Sequence, residues 1–325
     1  MKATVFMTTG QGGPRLEYTD VPGPKRPGPG EILVRHTAIG AGFFAIDACR
    51  GLRAAPPPPF IPGIEAAGVV EMAGEGSNFS PGDRVAYGTA RFGAYAEMRT
   101  MPAALAVGIP DGVPDEIAAA VISKGMVAHM ALCRVFSVKK EHRIFVHAAA
   151  GGVGHIISQW ASNAIGATVL GCVGAEDKIP TAEKSGCNAM TVGAQNVEEF
   201  VARFTDGEGV DVVYDGVGGT QSLGISVAAA RPFGLIASLG QSAGEIPPVN
   251  VRLFDKKNLY FTRPVLQRYK SDRRELTLTA VELFTLVERN KIRPVVDSVM
   301  PLSAAATAHK KLLARANKGV ILLRP

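Results

Sequence analysis

A run of small residues between two apolar stretches has the pattern of a phosphate-binding turn. The sequence RIFVH at 143–147 indicates a buried strand, AAAGGVG at 148–154 a tight turn, and apolar residues then recur at helical spacing. In such a unit the N–H groups of the first helical turn point at a pyrophosphate. Gly151 and Gly152 would let the backbone approach it, and Gly154 would let the helix pack on the strand. We predict a dinucleotide site. The alternative is a turn without a ligand, because the spacing differs from G-x-G-x-x-G.

The end of the next apolar strand, ATVLGCVG at 167–174, indicates which cofactor fits. An acidic residue there binds the ribose hydroxyls of NAD, whereas a basic group accepts the 2′-phosphate of NADP. The sequence continues with Ala175, Glu176, Asp177 and Lys178. The two acids suit the first turn of a helix, where they complement the helix dipole. We therefore predict NADPH, with Lys178 on the 2′-phosphate; a plain surface lysine is the alternative.

Two sequence rhythms predict two domains. Up to about residue 120, short β-branched stretches separated by Gly and Pro are typical of a mostly antiparallel, partly open β-barrel. From there to about residue 264, six strands alternate with helical stretches, which is typical of a doubly wound parallel sheet. A helix, a strand, a second helix and a final strand close the chain. The predicted class is α/β.

The composition indicates a well-buried globular protein. Of 325 residues 46% are hydrophobic and 20% charged, and the formal net charge of +6 is scattered in pairs, which disfavours a nucleic-acid surface. Glycines and polar residues interrupt the uncharged run at 144–175, so a buried strand–helix–strand unit explains it better than a membrane span. The N-terminus has no signal-peptide pattern, and the four cysteines are widely spaced. We expect a reduced, cytoplasmic protein outside the membrane.

Several motifs together resemble the zinc-independent NADPH:quinone oxidoreductases of the medium-chain dehydrogenase/reductase superfamily. They are HAAAGGVG, SKGMVAHMAL, GDRVAYG, VVYDGVGG and LYFTRPVLQRY. The bacterial quinone oxidoreductases are the most similar members, and zeta-crystallin is more distant. The resemblance implies a discontinuous GroES-like catalytic domain (1–120 and 265–325), a Rossmann NADP-binding domain (121–264), and a homodimer formed through the Rossmann edge strands.

The same resemblance implies which residues contact NADPH. They belong to the glycine turn, the ends of the neighbouring strands and two basic positions near the domain limits. The expected contacts are Ala150, Gly151, Gly152, Val153, Gly174, Lys178, Gly216, Leu239, Gly240, Arg263 and Arg315.

The residues favour the zinc-free branch of the superfamily. Zinc alcohol dehydrogenases, which resemble this fold, carry a GHE ligand motif and four closely spaced cysteines. The matching stretch here is Gly63-Ile64-Glu65, and no cysteine lies between residues 50 and 132. A catalytic zinc needs three converging N, O or S ligands and a structural zinc needs four. Because isoleucine cannot ligate, we expect no metal.

The chain departs from the family pattern where substrate donors are expected. The family usually has GxNxxDxY, whereas this chain has AIGAGFFAIDACRG. An ungapped match places Gly42 at the Asn position. A gapped match that aligns Asp47 places Phe44 at the Asn position and Cys49 at the Tyr position. Both alignments stay open, and in each the Asn and Tyr donors of this substrate loop are missing.

The remaining candidates for the chemistry are Asp47, Lys124 and His129, and each also fits a structural role. Asp47 fits a loop anchor, and His129 fits the boundary of an apolar helix. Cys49 would be a poor proton donor at its ordinary pKa of about 8.5. The proton donor is therefore unassigned.

Two classes of function fit these features. We predict NADPH-dependent hydride transfer to a small-molecule quinone, because an electron-poor acceptor needs the least electrophilic help in the absence of a metal. Reduction of α,β-unsaturated carbonyls, the enals and enones, is the alternative reaction. An NADPH-binding regulatory or structural protein with little turnover is the alternative class, and the missing donors favour it.

Overall fold

Fifteen strands and nine α-helices form in the part of the chain that the structure, a computed structural model, describes: residues 1–8, 14–193, 196–269 and 272–325. The strands are β1 (Lys2–Met7), β2 (Arg15–Asp20), β3 (Glu31–Ala41), β4 (Ala66–Ala73), β5 (Arg84–Tyr87), β6 (Met98–Pro102), β7 (Val107–Gly108), β8 (Arg143–His147), β9 (Thr168–Val173), β10 (Asn188–Thr191), β11 (Val210–Asp215), β12 (Ala230–Ser238), β13 (Tyr260–Thr262), β14 (Val296–Pro301) and β15 (Val320–Arg324). The helices are α1 (Phe43–Cys49), α2 (Asp115–His129), α3 (Gly154–Gln159), α4 (Ile179–Lys184), α5 (Val197–Thr205), α6 (Thr220–Ala229), α7 (Leu266–Tyr269), α8 (Arg273–Glu288) and α9 (Ala305–Leu313).

Shorter helical segments extend or connect these elements. A π-helical turn continues α2 over Met130–Val135, and another continues α3 over Trp160–Ile165. The 3₁₀ helices are Ala103–Leu105, Glu176–Lys178, Val251–Lys257 and Leu302–Ala304.

The chain forms two compact units whose sequences interleave. The first unit comprises residues 1–126, 267–288 and 296–325, and the second comprises residues 127–266 and 289–295. The predicted domain limits differ from these units at 121–126, 265–266 and 289–295, and they stay a prediction.

The segment 289–295 belongs to the second unit because its backbone is bonded to α3 and the turn that continues it. The amide of Gln159 donates to the Arg293 carbonyl oxygen (2.9 Å) and accepts from the Arg293 N–H (2.7 Å). The N–H of Val295 donates to Nε2 of His155 over 3.1 Å. No periodic pattern in the sequence marks these contacts, since they join residues more than a hundred positions apart.

The first unit is built on a seven-stranded, mostly antiparallel sheet. Its order is β14-β15-β3-β4-β5-β7, β6 also pairs with β3, and β14-β15 is a parallel pair. Alternation along β3 buries Ile32, Val34 and His36, which is typical of a strand with one face on a core. β1 and β2 form a separate hairpin with Lys2 opposite Asp20. The antiparallel character predicted for the N-terminal part is confirmed.

Two histidines of the first unit are buried as hydrogen-bonded pairs with tyrosines. His36 in β3 holds its Nε2 2.7 Å from the Tyr87 hydroxyl and its Nδ1 2.6 Å from the carbonyl oxygen of Ala96. His309 in α9 holds its Nε2 2.9 Å from the Tyr95 hydroxyl. Burial lowers the pKa of His36 and of His309 to about 4. Both rings are therefore neutral at neutral pH.

The second unit is a six-stranded parallel sheet in the order β10-β9-β8-β11-β12-β13. Neighbouring strands align Gly171 with Val146, and Val146 with Tyr214. The first strand of this unit, β8, lies beside the fourth, β11, so the strand order reverses between them. This is the doubly wound Rossmann arrangement, in which ligands bind at the carboxyl ends of the strands near the reversal. The predicted six-stranded parallel sheet is confirmed.

One helix is long and apolar enough to cross a membrane by length and composition. Residues 115–135, α2 and its π-helical extension, have a mean hydropathy of 1.4 over the most apolar window, and 72% of that window is buried inside the protein. Such burial is typical of a core helix, since a core position requires the same apolar residues as a lipid environment. In the described ranges it is the one helix with this property.

Candidate functional site

The turn after β8 is closed by its own backbone. β8 ends at His147, and Ala148 adopts a left-handed conformation with φ of 50°. The N–H of Gly151 donates to the Ala148 carbonyl oxygen over 2.7 Å. A Cβ atom at Gly154, where α3 begins, would lie 2.3 Å from the same oxygen. The turn therefore has no room for a side chain at 154, and it places the first turn of α3 against the end of β8, as a pyrophosphate site requires.

The end of β9 carries no acidic side chain. Gly174 and Ala175 follow the strand and are exposed, and the Cβ position of Gly174 faces open space. In the 3₁₀ helix that follows, Glu176 and Asp177 are exposed and Lys178 is half-buried. A small residue and then a lysine at this position suit a ribose that carries a 2′-phosphate.

Asp215, at the end of β11, organises the following turn from a buried position. Only 3% of the residue is exposed. Its Oδ1 accepts from the N–H groups of Val217 (2.7 Å) and Gly218 (3.1 Å), and its Oδ2 accepts from the Ser222 hydroxyl (2.8 Å). Three hydrogen bonds fix the carboxylate in one orientation, and charge-assisted bonds of this kind are among the stronger ones in proteins. The side chain thereby fixes the backbone of the turn.

The turns after β11 and β12 touch through their backbones. The Asp215 carbonyl oxygen accepts from the N–H groups of Leu239 (2.7 Å) and Gly240 (3.2 Å). A Cβ atom at Gly240 would lie 2.4 Å from the Gly216 carbonyl oxygen, and one at Gly218, whose φ is 71°, would lie 2.5 Å from the Gly240 carbonyl oxygen. Only glycine fits this approach, which brings the predicted contacts Gly216, Leu239 and Gly240 together at one edge of the sheet.

His147 connects β8 to its neighbours beneath the glycine turn. Its Nε2 lies 2.9 Å from the Ser226 hydroxyl in α6, and its Nδ1 lies 3.4 Å from Sγ of Cys172 in β9. Burial lowers the pKa of His147, against the opposing effect of the Asp215 charge. Burial also raises the pKa of the Cys172 thiol to about 12. The thiol therefore stays protonated and supports the turn rather than acting as a nucleophile.

The two predicted arginines lie in different units. Arg263, just after β13, donates from Nη1 to the Ser238 hydroxyl (3.0 Å) and the Gly240 carbonyl oxygen (3.2 Å), and from Nη2 to Gln241 (2.9 Å). It therefore braces the end of β12 in the second unit. Arg315 follows α9 in the first unit, where it is exposed and has a φ of 53°.

The residues at the carboxyl edge of the second unit fit NADPH. Positions 154, 216 and 240 leave space or close contacts that a Cβ atom would block, which is the usual requirement where backbone meets a pyrophosphate. Basic groups at 178 and 263 provide charge for the phosphates. Ala150, Gly151, Gly152 and Val153 lie in the turn itself.

The substrate loop of the first unit has an apolar surface. Gly42 immediately precedes α1, and the ring of Phe44 lies 5.6 Å from that of Phe92, with the Arg53 guanidinium 4.0 Å above the Phe44 ring. Cys49, at the end of α1, packs beside an apolar cluster, and burial raises the pKa of its thiol to about 12. At that pKa the thiol is a poor proton donor.

The three candidates for the chemistry have different surroundings. Asp47 in α1 is 2% exposed. Lys124 in α2 is buried, with its Nζ 2.5 Å from Oε1 of Glu65. His129, the last residue of α2, stacks at 5.8 Å between ring centroids with Trp160. Asp47 and Lys124 belong to the first unit, whereas His129 belongs to the second.

Sequence reasoning missed three buried polar groups: Asp215, His147 and Glu65. Each had a local signal, because each is a polar or charged residue within or beside an apolar stretch: VDVVYD, RIFVH and GIEAAG. Such residues are rarely buried without a partner. The partners themselves, Ser226 and Lys124, lie too far along the chain for the pattern to identify them.

The metal-ligand set can be examined in the same way. Within residues 1–8, 14–193, 196–269 and 272–325, no group of three or more His, Cys, Asp and Glu side chains is arranged to hold a metal ion. Ile64, at the position that corresponds to the zinc-ligating histidine, is 8% exposed. All four cysteines are free thiols.

Comparison with known families identifies both parts of the chain. Residues 28–111 match the alcohol dehydrogenase GroES-like domain, and residues 189–323 match the zinc-binding dehydrogenase family.

Individual relatives match over nearly the full length. A quinone oxidoreductase of Pseudomonas aeruginosa is 39% identical, with 97% of each chain covered, and a 2-haloacrylate reductase of a Burkholderia species is 37% identical, with 92% of each covered. The crystal structure of Escherichia coli quinone oxidoreductase complexed with NADPH superposes with a TM-score of 0.93 at 34% identity, and covers 100% of both chains.

Proposed function

The chain belongs to the quinone oxidoreductase family of the medium-chain dehydrogenase/reductase superfamily, and from that premise we propose that it is an NADPH-dependent quinone reductase that works without zinc. The observation that carries the proposal is the side-chain-free turn at 148–154, with a lysine rather than an acid after the next strand. Together these features fit a dinucleotide with a 2′-phosphate.

The residues of the second unit have the task of holding and orienting the cofactor. NADPH, when bound, supplies a hydride. The turn at 148–154 would hold the pyrophosphate, Lys178 the 2′-phosphate, and the backbone at Gly216 and Gly240 the other part of the carboxyl edge. Asp215 keeps that backbone in place through its five accepted hydrogen bonds, three at the carboxylate and two at the carbonyl oxygen. Fixed orientation lowers the barrier because the entropy of alignment is lost before the reaction.

A second candidate reaction is the reduction of conjugated carbonyls. The 2-haloacrylate reductase relative favours it, since its name describes an electron-poor alkene conjugated to a carboxylate. The low-turnover alternative, an NADPH-binding regulatory or structural protein, is supported by Gly42 at the position where an asparagine donor is expected.

Oxidation of NADPH, followed by its absorbance, distinguishes these functions. We expect turnover with para-benzoquinone and ortho-quinones, and the same rate after treatment with a strong chelator. Tight NADPH binding without reduction of any quinone, enal or enone would instead support the binding-protein alternative. A stoichiometric zinc content with chelator-sensitive activity would contradict the zinc-independent mechanism.

Lys178 should determine the preference for NADPH over NADH. A charge-assisted contact to the extra phosphate contributes roughly 1.5–3 kcal/mol, or about tenfold to a hundredfold in affinity. Lys178→Ala should therefore remove most of the preference in a calorimetric titration and leave NADH binding nearly unchanged. Equal losses for both cofactors would mean that Lys178 supports the fold. Lys184→Ala, in the last turn of α4, is the matched control.

We also propose that the protein is a cytoplasmic homodimer joined through β13, the edge strand of the parallel sheet. An apolar group lies exposed on and beside that edge: Val251, Leu253, Tyr260, Phe261 and Val265. Exposed apolar groups next to an unpaired strand edge are typical of an interface. In sedimentation, the protein should behave as a dimer and Tyr260→Lys as a monomer; a monomeric wild type would contradict the proposal. The cytoplasmic location is supported by the four free thiols.

A further inference from the structure

Lys124 and Glu65 form a buried ion pair in the first unit. Nζ of Lys124 lies 2.5 Å from Oε1 of Glu65, and the side chains are 9% and 6% exposed. Removal of two charges from water is unfavourable, and a hydrophobic pair of similar volume is often at least as stable. Stability alone therefore does not explain this pair.

The backbone of β3 and the residue that follows it make room for the carboxylate. A Cβ atom at Gly40 would lie 2.6 Å from Cδ of Glu65 and 2.7 Å from its Oε1. A Cβ atom at Gly42, the residue before α1, would lie 3.5 Å from Oε1. The glycine at 42, where the family pattern has an asparagine in the ungapped match, thus leaves open space beside the ion pair instead of a side-chain amide.

The pair has hydrogen-bonding capacity that the protein does not use. Oε2 of Glu65 is buried and has no hydrogen-bond partner in the described part of the chain. The ammonium group of Lys124 has three N–H donors, and Glu65 Oε1 is the acceptor that the described residues provide for it. Buried groups in native proteins are nearly always satisfied, so spare donors and a spare acceptor in one place indicate a ligand.

We propose that the Lys124–Glu65 pair receives the carbonyl oxygen of the substrate, with Lys124 as the hydrogen-bond donor and Glu65 as its positioning residue. The inference rests on the proposed function and names the donor that the substrate loop lacks. When a hydride from NADPH adds to the substrate, one electron pair of the carbonyl system moves onto this oxygen. Lys124 stabilises the resulting oxyanion, and a proton from water completes the hydroquinone, so that one hydride and one proton are consumed. A fixed donor at a developing oxyanion is the expected device where a metal is lacking.

The test removes the donor without leaving an isolated charge. Lys124→Met leaves Glu65 buried and unpaired, so Lys124→Met/Glu65→Gln is the primary variant. We expect its kcat/KM for para-benzoquinone to fall about a hundredfold, as for the loss of one oxyanion donor, with the Kd for NADPH unchanged. Lys311→Met, which breaks the ion pair with Asp297 in the same unit, is the matched control and should retain full activity.

A second measurement does not depend on turnover. Para-nitrophenol carries a phenolate oxygen that imitates the oxyanion, and its ionised form is coloured. At a pH where the free compound is half ionised, the wild type and Lys311→Met should bind it mainly as the phenolate, and the double variant should not. Equal kcat/KM and equal phenolate binding in folded wild type and double variant would overturn the inference while leaving the proposed function intact. Lys124-dependent phenolate binding in a wild type that reduces no quinone would support the site and contradict the proposed function.

Discussion

Replacement of Gly154 by alanine is expected to weaken NADPH binding by about a hundredfold or more. The new Cβ would lie 2.3 Å from the Ala148 carbonyl oxygen and 2.9 Å from the Ala148 carbonyl carbon, and these backbone atoms cannot rotate away. The start of α3 must therefore shift from the end of β8, and its N–H groups lose their alignment with the pyrophosphate. Each charge-assisted hydrogen bond is worth roughly 1.5–3 kcal/mol, so the loss of one or two gives an effect of this size.

Gly224→Ala is the matched control for this experiment. Gly224 lies in α6, is exposed, and has no heavy atom within 4 Å of its Cβ position. The substitution should raise thermal stability, since alanine is favoured over glycine inside a helix by about 1 kcal/mol, and leave the Kd for NADPH unchanged. A Gly154→Ala protein that is folded by circular dichroism and binds NADPH as tightly as the wild type would disprove the pyrophosphate role of the turn.

A large loss of stability is expected between neutral pH and about pH 4. The pKa of His36 and of His309 is lowered by burial from 6.5 to about 4 in the folded protein. Between these values the unfolded chain binds protons that the folded protein does not, so the free energy of unfolding falls as the pH falls. At about 1.4 kcal/mol per pKa unit, each histidine accounts for roughly 3 kcal/mol across that window. Urea denaturation at a series of pH values measures the slope.

Variants of the two tyrosine–histidine pairs separate titration from hydrogen bonding. His309→Gln keeps a polar partner for Tyr95 but removes one titrating group, so it should reduce the slope of stability against pH. Tyr95→Phe loses the same hydrogen bond, which has a length of 2.9 Å, and keeps the titrating ring. It should lower stability by a similar amount at every pH. If His309→Gln and the wild type had the same slope, His309 would not be a source of the acid sensitivity.

The strand–turn–helix unit and the parallel sheet could be predicted because their signals are local. Glycines at 151, 152 and 154, helical spacing after them and a second apolar strand all lie within about thirty residues. The strand order then follows from the few topologies that such units allow. The absence of an acid at 174 and 175 likewise needs no tertiary information.

The polar groups within the core could not be predicted because their partners are remote in sequence. Lys124 and Glu65 are 59 positions apart, and His147 and Ser226 are 79 apart. A sequence pattern indicates that a charged residue lies in an apolar run, but only the folded chain determines which opposite charge reaches it. The same reason explains why the segment 289–295, held to α3 and its extension by backbone hydrogen bonds, left no recognisable signal.

The interleaved course of the chain has a consequence for synthesis on the ribosome. β15, which ends one residue before the last of the chain, pairs with β14 on one side and with β3 on the other, so it lies inside the sheet of the first unit. Until it emerges, Ile39–Ala41 of β3 remain an unpaired edge, and such edges are prone to aggregate. All six strands of the second unit are available once residue 262 has been made. The nascent protein therefore completes its parallel sheet first and depends on chaperone protection of β3 until translation ends.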